Sequence, residues 1–294
     1  MAIDDPTTWL RLSSPRLTAC IDPIGAQLVV LRDAHDRDLL WNGDPRWWSG
    51  RAPLLFPIVG ELAEGHYRWD GREYSLSRHG FARGLPFDVA HSDAGSVVLL
   101  LRASDATRRV YPFEFTLRIA FTLSASKLEV VATVRNTGEG VLPASIGFHP
   151  AFRWPIDASH RESHWIEFAS AEPAPVRRLD AAGLLRADAV PTPVRGRRLD
   201  LRDDLFAEDV LIFDRLSSRQ LTYGTADTRL TVGFPDASHL GLWTKPGAGF
   251  LCIEPWRGVA DPQGWTGDFQ TKPGLVHVAP GDEASLTMDV SLDA

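Results

Sequence analysis

The chain has 294 residues, 44% of them hydrophobic and 23% charged, and a formal net charge of −7. This is the profile of a soluble globular protein, and the acidic balance argues against binding nucleic acid or an acidic membrane, which needs a basic field. Its two cysteines, Cys20 and Cys252, form no Cys-x-x-Cys pair, so no zinc or thioredoxin-type motif is supported.

The opening Met1-Ala2-Ile3-Asp4-Asp5-Pro6 has no basic stretch leading into an apolar core, and no apolar run approaches the ~18 residues of a membrane helix. The expectation is a cytoplasmic protein with neither nucleic-acid nor membrane partners. Nothing in the composition sets an oligomeric state.

In chain order, residues 27–31 and 97–102 read as strands. From Phe113 to Leu123, Phe113, Phe115, Leu117, Ile119, Phe121 and Leu123 alternate with Glu114, Thr116, Arg118, Ala120 and Thr122, a period of two. The polar turn Ser124-Ala125-Ser126-Lys127 follows, then Leu128, Val130, Ala132 and Val134 alternate again, which predicts a hairpin. Residues 171–204, rich in Pro, Arg, Asp and Ala, read as a long excursion within one domain, with a turn or two of helix at most over 181–187. Their arginines (Arg177, Arg178, Arg195, Arg197, Arg198) are interspersed with acidic and apolar residues, as on a solvated loop. Further strands are expected at 210–213, 230–234 and 240–243, and Leu286, Met288, Val290 and Leu292 repeat the alternation at the end. Many short strands, 24 Gly and 21 Pro predict an all-β sandwich or barrel-like architecture, read as a single domain over 1–294.

Three short words place an ionisable group among apolar neighbours at a strand edge. Glu254 in Ile253-Glu254-Pro255-Trp256 ends an apolar run, where a carboxylate is costly unless paired and desolvation raises its pKa towards a useful base. The bland alternative is a structural salt bridge to a buried arginine. His149 lies between Phe148 and Pro150, and the proline biases it to extended geometry. His79 sits in a turn-like segment beside Gly80, with Arg78 and Arg83 flanking it; two nearby guanidinium groups suit a neutral, hydrogen-bonding imidazole. His35, His91, His160 and His164 read as surface or satisfied core residues, and both cysteines as buried thiols.

Ten tryptophans, with Trp41, Trp47, Trp48, Trp243 and Trp256 near these words, suit the apolar C–H faces of sugar rings, although plain core packing is the commoner use of any one of them. Asn42, Arg51 and Asp209 are candidates for the polar partners of sugar hydroxyls. No His-x-His or His-Glu-x-x-His spacing occurs, which argues for widely separated ligands in any metal site. The Gly-x-Ser-x-Gly elbow, P-loop and dinucleotide fingerprints are also absent.

Taken in order, Leu40-Trp41-Asn42-Gly43, Arg51-Ala52-Pro53-Leu54-Leu55-Phe56-Pro57-Ile58-Val59-Gly60, His79-Gly80-Phe81-Ala82-Arg83, Gly147-Phe148-His149-Pro150-Ala151-Phe152 and Cys252-Ile253-Glu254-Pro255-Trp256 resemble the aldose 1-epimerase (galactose mutarotase-like) superfamily, in particular its LacX-like branch. The resemblance implies a large antiparallel β-sandwich (the galactose mutarotase-like supersandwich) with the site in a cleft across one sheet. It also implies a cofactor-free reaction, the interconversion of the α and β anomers of an aldose such as a hexose, and no metal is expected from the histidine and glutamate spacing. By the same resemblance His149 is the general acid, Glu254 the general base, His79 and Arg51 bind the sugar, and Asp209 binds its hydroxyls. Arg83 and Trp243 complete the expected substrate contacts.

Such a coupled pair predicts a bell-shaped pH profile. Glu61 stands where many relatives carry a basic residue, and the arginines Arg51, Arg78 and Arg83 also fit a hexose 6-phosphate. The rivals are a hexose-6-phosphate 1-epimerase and a non-catalytic carbohydrate-binding domain of the same fold. A glycoside hydrolase or lyase is disfavoured because that class usually relies on two carboxylates, or on a tyrosine base for lyases, and only one well-placed acid is visible.

Overall fold

Period-two alternation in the sequence becomes two large antiparallel sheets in the computed structural model, which describes residues 6–292. The predicted hairpin is the centre of the first sheet. Phe115–Ser124 pairs with Lys127–Asn136 around the turn, with Leu128 opposite Leu123, and Lys127–Asn136 pairs in turn with Glu283–Leu292. Nine strands make up this sheet, from Arg198–Asp200 at one edge to Asp88–Ser92 at the other. The only α-helix among the described residues is Asp105–Val110, six residues capped reciprocally by Ser104 and Thr107. Among the described residues no helix is long and apolar enough to cross a membrane.

The second sheet has eight strands and carries the site. At its middle, Phe250–Arg257 lies between His239–Trp243 and the short strands Ile146–Phe148 and Ala151–Arg153. Successive side chains of a strand point to opposite faces, and the core sorts them. Leu251 and Ile253, with Leu240, Leu242, Leu211 and Phe213, join Leu117, Ile119, Val130 and Val290 of the first sheet in one apolar core. Phe250, Cys252, Glu254 and Trp256 therefore face the other way, onto the outer side of the eight-stranded sheet. Each fully buried aliphatic or aromatic side chain contributes roughly 1.5–3 kcal/mol. Leu251 and Ile253, both fully buried, thus hold in place a strand that also carries a buried carboxyl.

Three expectations need correction. Residues 181–187 form no helical turn: Gly183 takes φ +82° in a tight turn and Leu185–Val190 is a strand. Residues 171–204, read as the least strand-like stretch, in fact carry strands: Val176–Leu179 and Leu185–Val190 form one edge of the eight-stranded sheet and Arg198–Asp200 an edge of the other. Leu185–Val190 has one buried residue in six, so it lacks the alternation that marks a half-buried strand. Cys252 is buried as expected, whereas Cys20 is only half-buried.

Candidate active site

His149 and Glu254 meet because of register. Ile146–Phe148 and Ala151–Arg153 pair with the same strand, through Gly147 opposite Trp256 and Ala151 opposite Cys252. His149 and Pro150 interrupt the ladder between these pairs, which sets position 149 opposite position 254. Proline has no N–H for a ladder, and the Pro150 carbonyl instead accepts from the Ile253 N–H at 3.2 Å. His149 Nε2 stands 3.2 Å from Glu254 Oε2, with the residues 8% and 1% exposed. Among the described residues, the carboxylate's ion-pair contact is this imidazole and not an arginine.

Aromatic rings fix the imidazole. Trp48 stacks on it with centroids 4.8 Å apart and planes at 29°, while Trp243 and His79 meet it edge-on, each at 5.7 Å. The segment bearing Trp48 is tied down by the Trp41 indole N–H, which donates to the Trp48 carbonyl at 2.8 Å, and by Lys245 Nζ, which donates to the Trp47 carbonyl at 2.6 Å. Trp256 forms the floor, and glycine is required beneath it: a Cβ on Gly241 would lie 2.6 Å from its ring and one on Gly147 2.8 Å.

His79 is held in the left-handed region, φ +67°, sparsely populated but more accessible to His than to most residues. Its own N–H donates to the Gly60 carbonyl at 2.9 Å, and its Nδ1 accepts from the Gly60 N–H at 3.1 Å. Accepting at Nδ1 fixes the neutral tautomer with the proton on Nε2. Arg178, itself buried, donates from Nη1 to the Asp209 carbonyl and from Nη2 to the Leu205 carbonyl, both at 2.7 Å, anchoring the turn that presents Asp209.

Burial dominates the electrostatics. It lowers the His149 pKa to about 3 and raises that of Glu254 well above the usual carboxylate range, with Arg78 pulling Glu254 the other way. His79 is pushed well down, first by burial and then by His149, Arg78 and Arg83. His79 and His149 thus stay neutral in the fold, while in the unfolded chain they titrate near 6.5. Below that value the unfolded state binds more protons, so stability falls with falling pH, by up to about 1.4 kcal/mol per pH unit for each histidine. Glu254, with its folded pKa raised, opposes this above about pH 4.5 as a single group. The urea midpoint is therefore expected to drop between about pH 6.5 and pH 5, and a midpoint that rises over that interval would contradict the neutral assignment.

Of the residues singled out from sequence, His149, Glu254, His79, Arg83, Asp209 and Trp243 line one cavity of about 210 Å³. Arg51 does not join them. Its guanidinium turns to the other side of its segment, where Nη1 donates to the Val29 carbonyl at 3.2 Å and the group sits 5.2 Å from the Trp9 ring. The arginine at the cleft, beside His79, is Arg78, together with Arg83, whose Nη2 donates to the Arg78 carbonyl at 2.7 Å. Trp48 and Trp256 also line the cavity; their signal was the tryptophan density around the histidine and glutamate words. Asn42, Trp41 and Trp47 lie outside the cavity lining, and His164 is a satisfied core residue whose Nε2 accepts from the Ile156 N–H at 3.0 Å.

Two stacked antiparallel sheets with an acid–imidazole pair in a tryptophan-lined cleft on the outer face of one define the class: an all-β protein of the galactose mutarotase-like fold. The chain belongs to the aldose 1-epimerase family, whose model matches residues 9–266, and within it to the LacX-like branch. It is 30% identical over 295 residues to the chromosomally encoded LacX protein of Lactococcus lactis, covering 96% of this chain and 99% of that one. The structure of a galactose mutarotase related enzyme from Lactobacillus acidophilus superposes with a TM-score of 0.89 at 30% identity over 97% of both chains. That of a galactose mutarotase-like protein from Lactobacillus casei gives 0.90 at 27% identity, over 97% of this chain and 100% of that one.

Proposed function

We propose that this protein, acting as one folded unit, interconverts the α and β anomers of a hexose by opening and reclosing its ring. The observation that carries the reading is the 3.2 Å approach of His149 Nε2 to Glu254 Oε2 at the cleft. Simple sugar binding does not need an acid facing a base. The cavity, about 210 Å³, is below the roughly 300–1,000 Å³ of sites for drug-sized ligands, which suits one sugar ring and not a chain of them.

In the buried pair one proton is shared, and burial favours neutral imidazole with carboxylic acid. Ring opening uses the other tautomer, reached by moving the proton from Oε2 to Nε2 across the short contact; Arg78, which favours the carboxylate, supports it. Glu254 then takes the proton of the O1 hydroxyl, the C1–O5 bond breaks, and His149 protonates the ring oxygen. After rotation about C1–C2 the same transfers run backwards on the other carbonyl face. His79, holding its proton on Nε2, is a donor to a sugar oxygen. Asp209 accepts from hydroxyls, and the indoles of Trp48, Trp243 and Trp256 pack on apolar C–H faces.

Magnetisation transfer between the two anomeric proton signals of galactose and glucose tests this directly. Exchange accelerated above the buffer rate is expected, and none with any hexose or hexose 6-phosphate would leave a sugar-binding protein without turnover. A second reading, a hexose 6-phosphate as substrate, is favoured by Arg78 and Arg83 standing together at the cleft, since paired guanidinium groups suit a phosphate. Arg78→Met is then expected to raise KM for the 6-phosphate by roughly 10–100-fold, the loss of one charge-assisted contact, and to change KM for the free sugar far less. Equal effects on the two substrates would remove the phosphate reading.

A further inference from the structure

The catalytic pair has a third neighbour that the proposed proton transfers do not use. Cys252 lies two residues before Glu254 on the same strand and on the same outer face, opposite Ala151. One ligand atom each from His149, Cys252 and Glu254 lie within 4.8 Å of one another, and all three residues are buried. Two of the polar atoms in this cluster, His149 Nδ1 and Glu254 Oε2, make no well-aligned hydrogen bond, Oε2 having only the 3.2 Å approach of His149 Nε2, although buried polar atoms normally find partners. A thiol, an imidazole and a carboxyl group form the mixed soft and borderline donor set that takes zinc.

We propose that His149, Cys252 and Glu254 form an inhibitory binding site for Zn²⁺ or a similar thiophilic divalent ion, with the fourth coordination position facing the cleft. Bond lengths of about 2.0–2.3 Å put ligand atoms roughly 3.5 Å apart around a tetrahedral ion. Closing the present span takes about an ångström of side-chain movement. Coordination requires the thiolate and the carboxylate, so two protons leave to solvent. The two negative ligands then balance the charge of the dication, which makes a buried ion tolerable. Because the ion holds the same imidazole and carboxylate that would handle the sugar protons, it competes with the sugar. The inhibitory character rests on the proposed epimerase reading; the binding does not.

Co²⁺ is the probe, since thiolate coordination gives it an ultraviolet charge-transfer band and tetrahedral geometry gives visible d–d bands. Titration of the whole protein is expected to develop both bands with one equivalent per chain. The bands should disappear in Cys252→Ala and persist in Cys20→Ser, which controls for the other thiol. Zn²⁺ is expected to displace Co²⁺ and to slow anomeric exchange competitively with sugar. In Cys252→Ala the half-inhibiting Zn²⁺ concentration, measured against that variant's own metal-free rate, should rise by at least the roughly 10–100-fold that weakening a metal's surroundings costs. Circular dichroism checks that the variant is folded, and Cys252→Ser provides a second version if it is not. Absence of a thiolate band in the wild-type protein, or its loss in Cys20→Ser, overturns the site. Unchanged Zn²⁺ inhibition in both Cys252 variants overturns it as well. The spectra need no turnover, so a Co²⁺ band together with no anomeric exchange by the metal-free protein would defeat the enzyme reading and leave the metal site standing.

Discussion

Glu254→Gln is expected to lower kcat for anomeric exchange by about 10²–10⁴-fold, the usual worth of a positioned general base, or roughly 3–5 kcal/mol in activation free energy. The amide keeps the shape of the carboxyl group but cannot accept the O1 proton. Folding should survive, because burial already holds this carboxyl neutral and glutamine adds no charge to the interior. Sugar affinity should likewise remain measurable by calorimetry. This combination separates loss of chemistry from loss of structure: a variant that exchanges anomers at the wild-type rate would show that the base lies elsewhere, whatever its stability.

His149→Gln is expected to cost a similar factor and, more tellingly, to change the shape of the pH profile. On the proposed mechanism the pair in the wild-type protein works with one proton between its members. Gaining a second proton defines the acid limb, drawn well below the ordinary histidine value because burial lowers His149 to about 3. Losing the only proton defines the alkaline limb, displaced above the ordinary carboxylate value by the same burial. The kcat/KM profile should therefore be a bell shifted apart on both sides, and in His149→Gln the residual rate should follow one ionisation. A His149→Gln variant whose residual rate keeps both limbs of the wild-type profile would remove the paired mechanism.

Much of this was readable along the chain. The alternation of Phe115, Leu117, Ile119 and Phe121 is the core face of a central strand, and His149 and Glu254 declared themselves as ionisable groups inside apolar words. Their meeting was not readable from pattern, since it depends on a shared register between two strands about a hundred residues apart, interrupted at a proline. The resemblance supplied that pairing but assigned the sugar-binding arginine to Arg51, whose side chain packs against Val29 and Trp9 instead. Arg78 and Arg51 are equally plausible in composition. Only the left-handed turn at His79 and Gly80, against Phe56 and Gly60, decides which one reaches the cleft. The strands within 171–204 were hidden for a different reason: Leu185–Val190 is mostly exposed and Arg198–Asp200 is a three-residue edge with one buried side chain, so neither has a hydrophobic pattern to display.

The alternation of Phe250–Arg257 has one further consequence. Leu251 and Ile253 fill the interior while Glu254 lines the cleft and Cys252 packs on the same outer face, so insertion or deletion of a single residue upstream in this strand would exchange the two sets. The carboxyl would be driven into oil and isoleucine would face the cleft. Core and cleft together therefore fix the spacing within this strand.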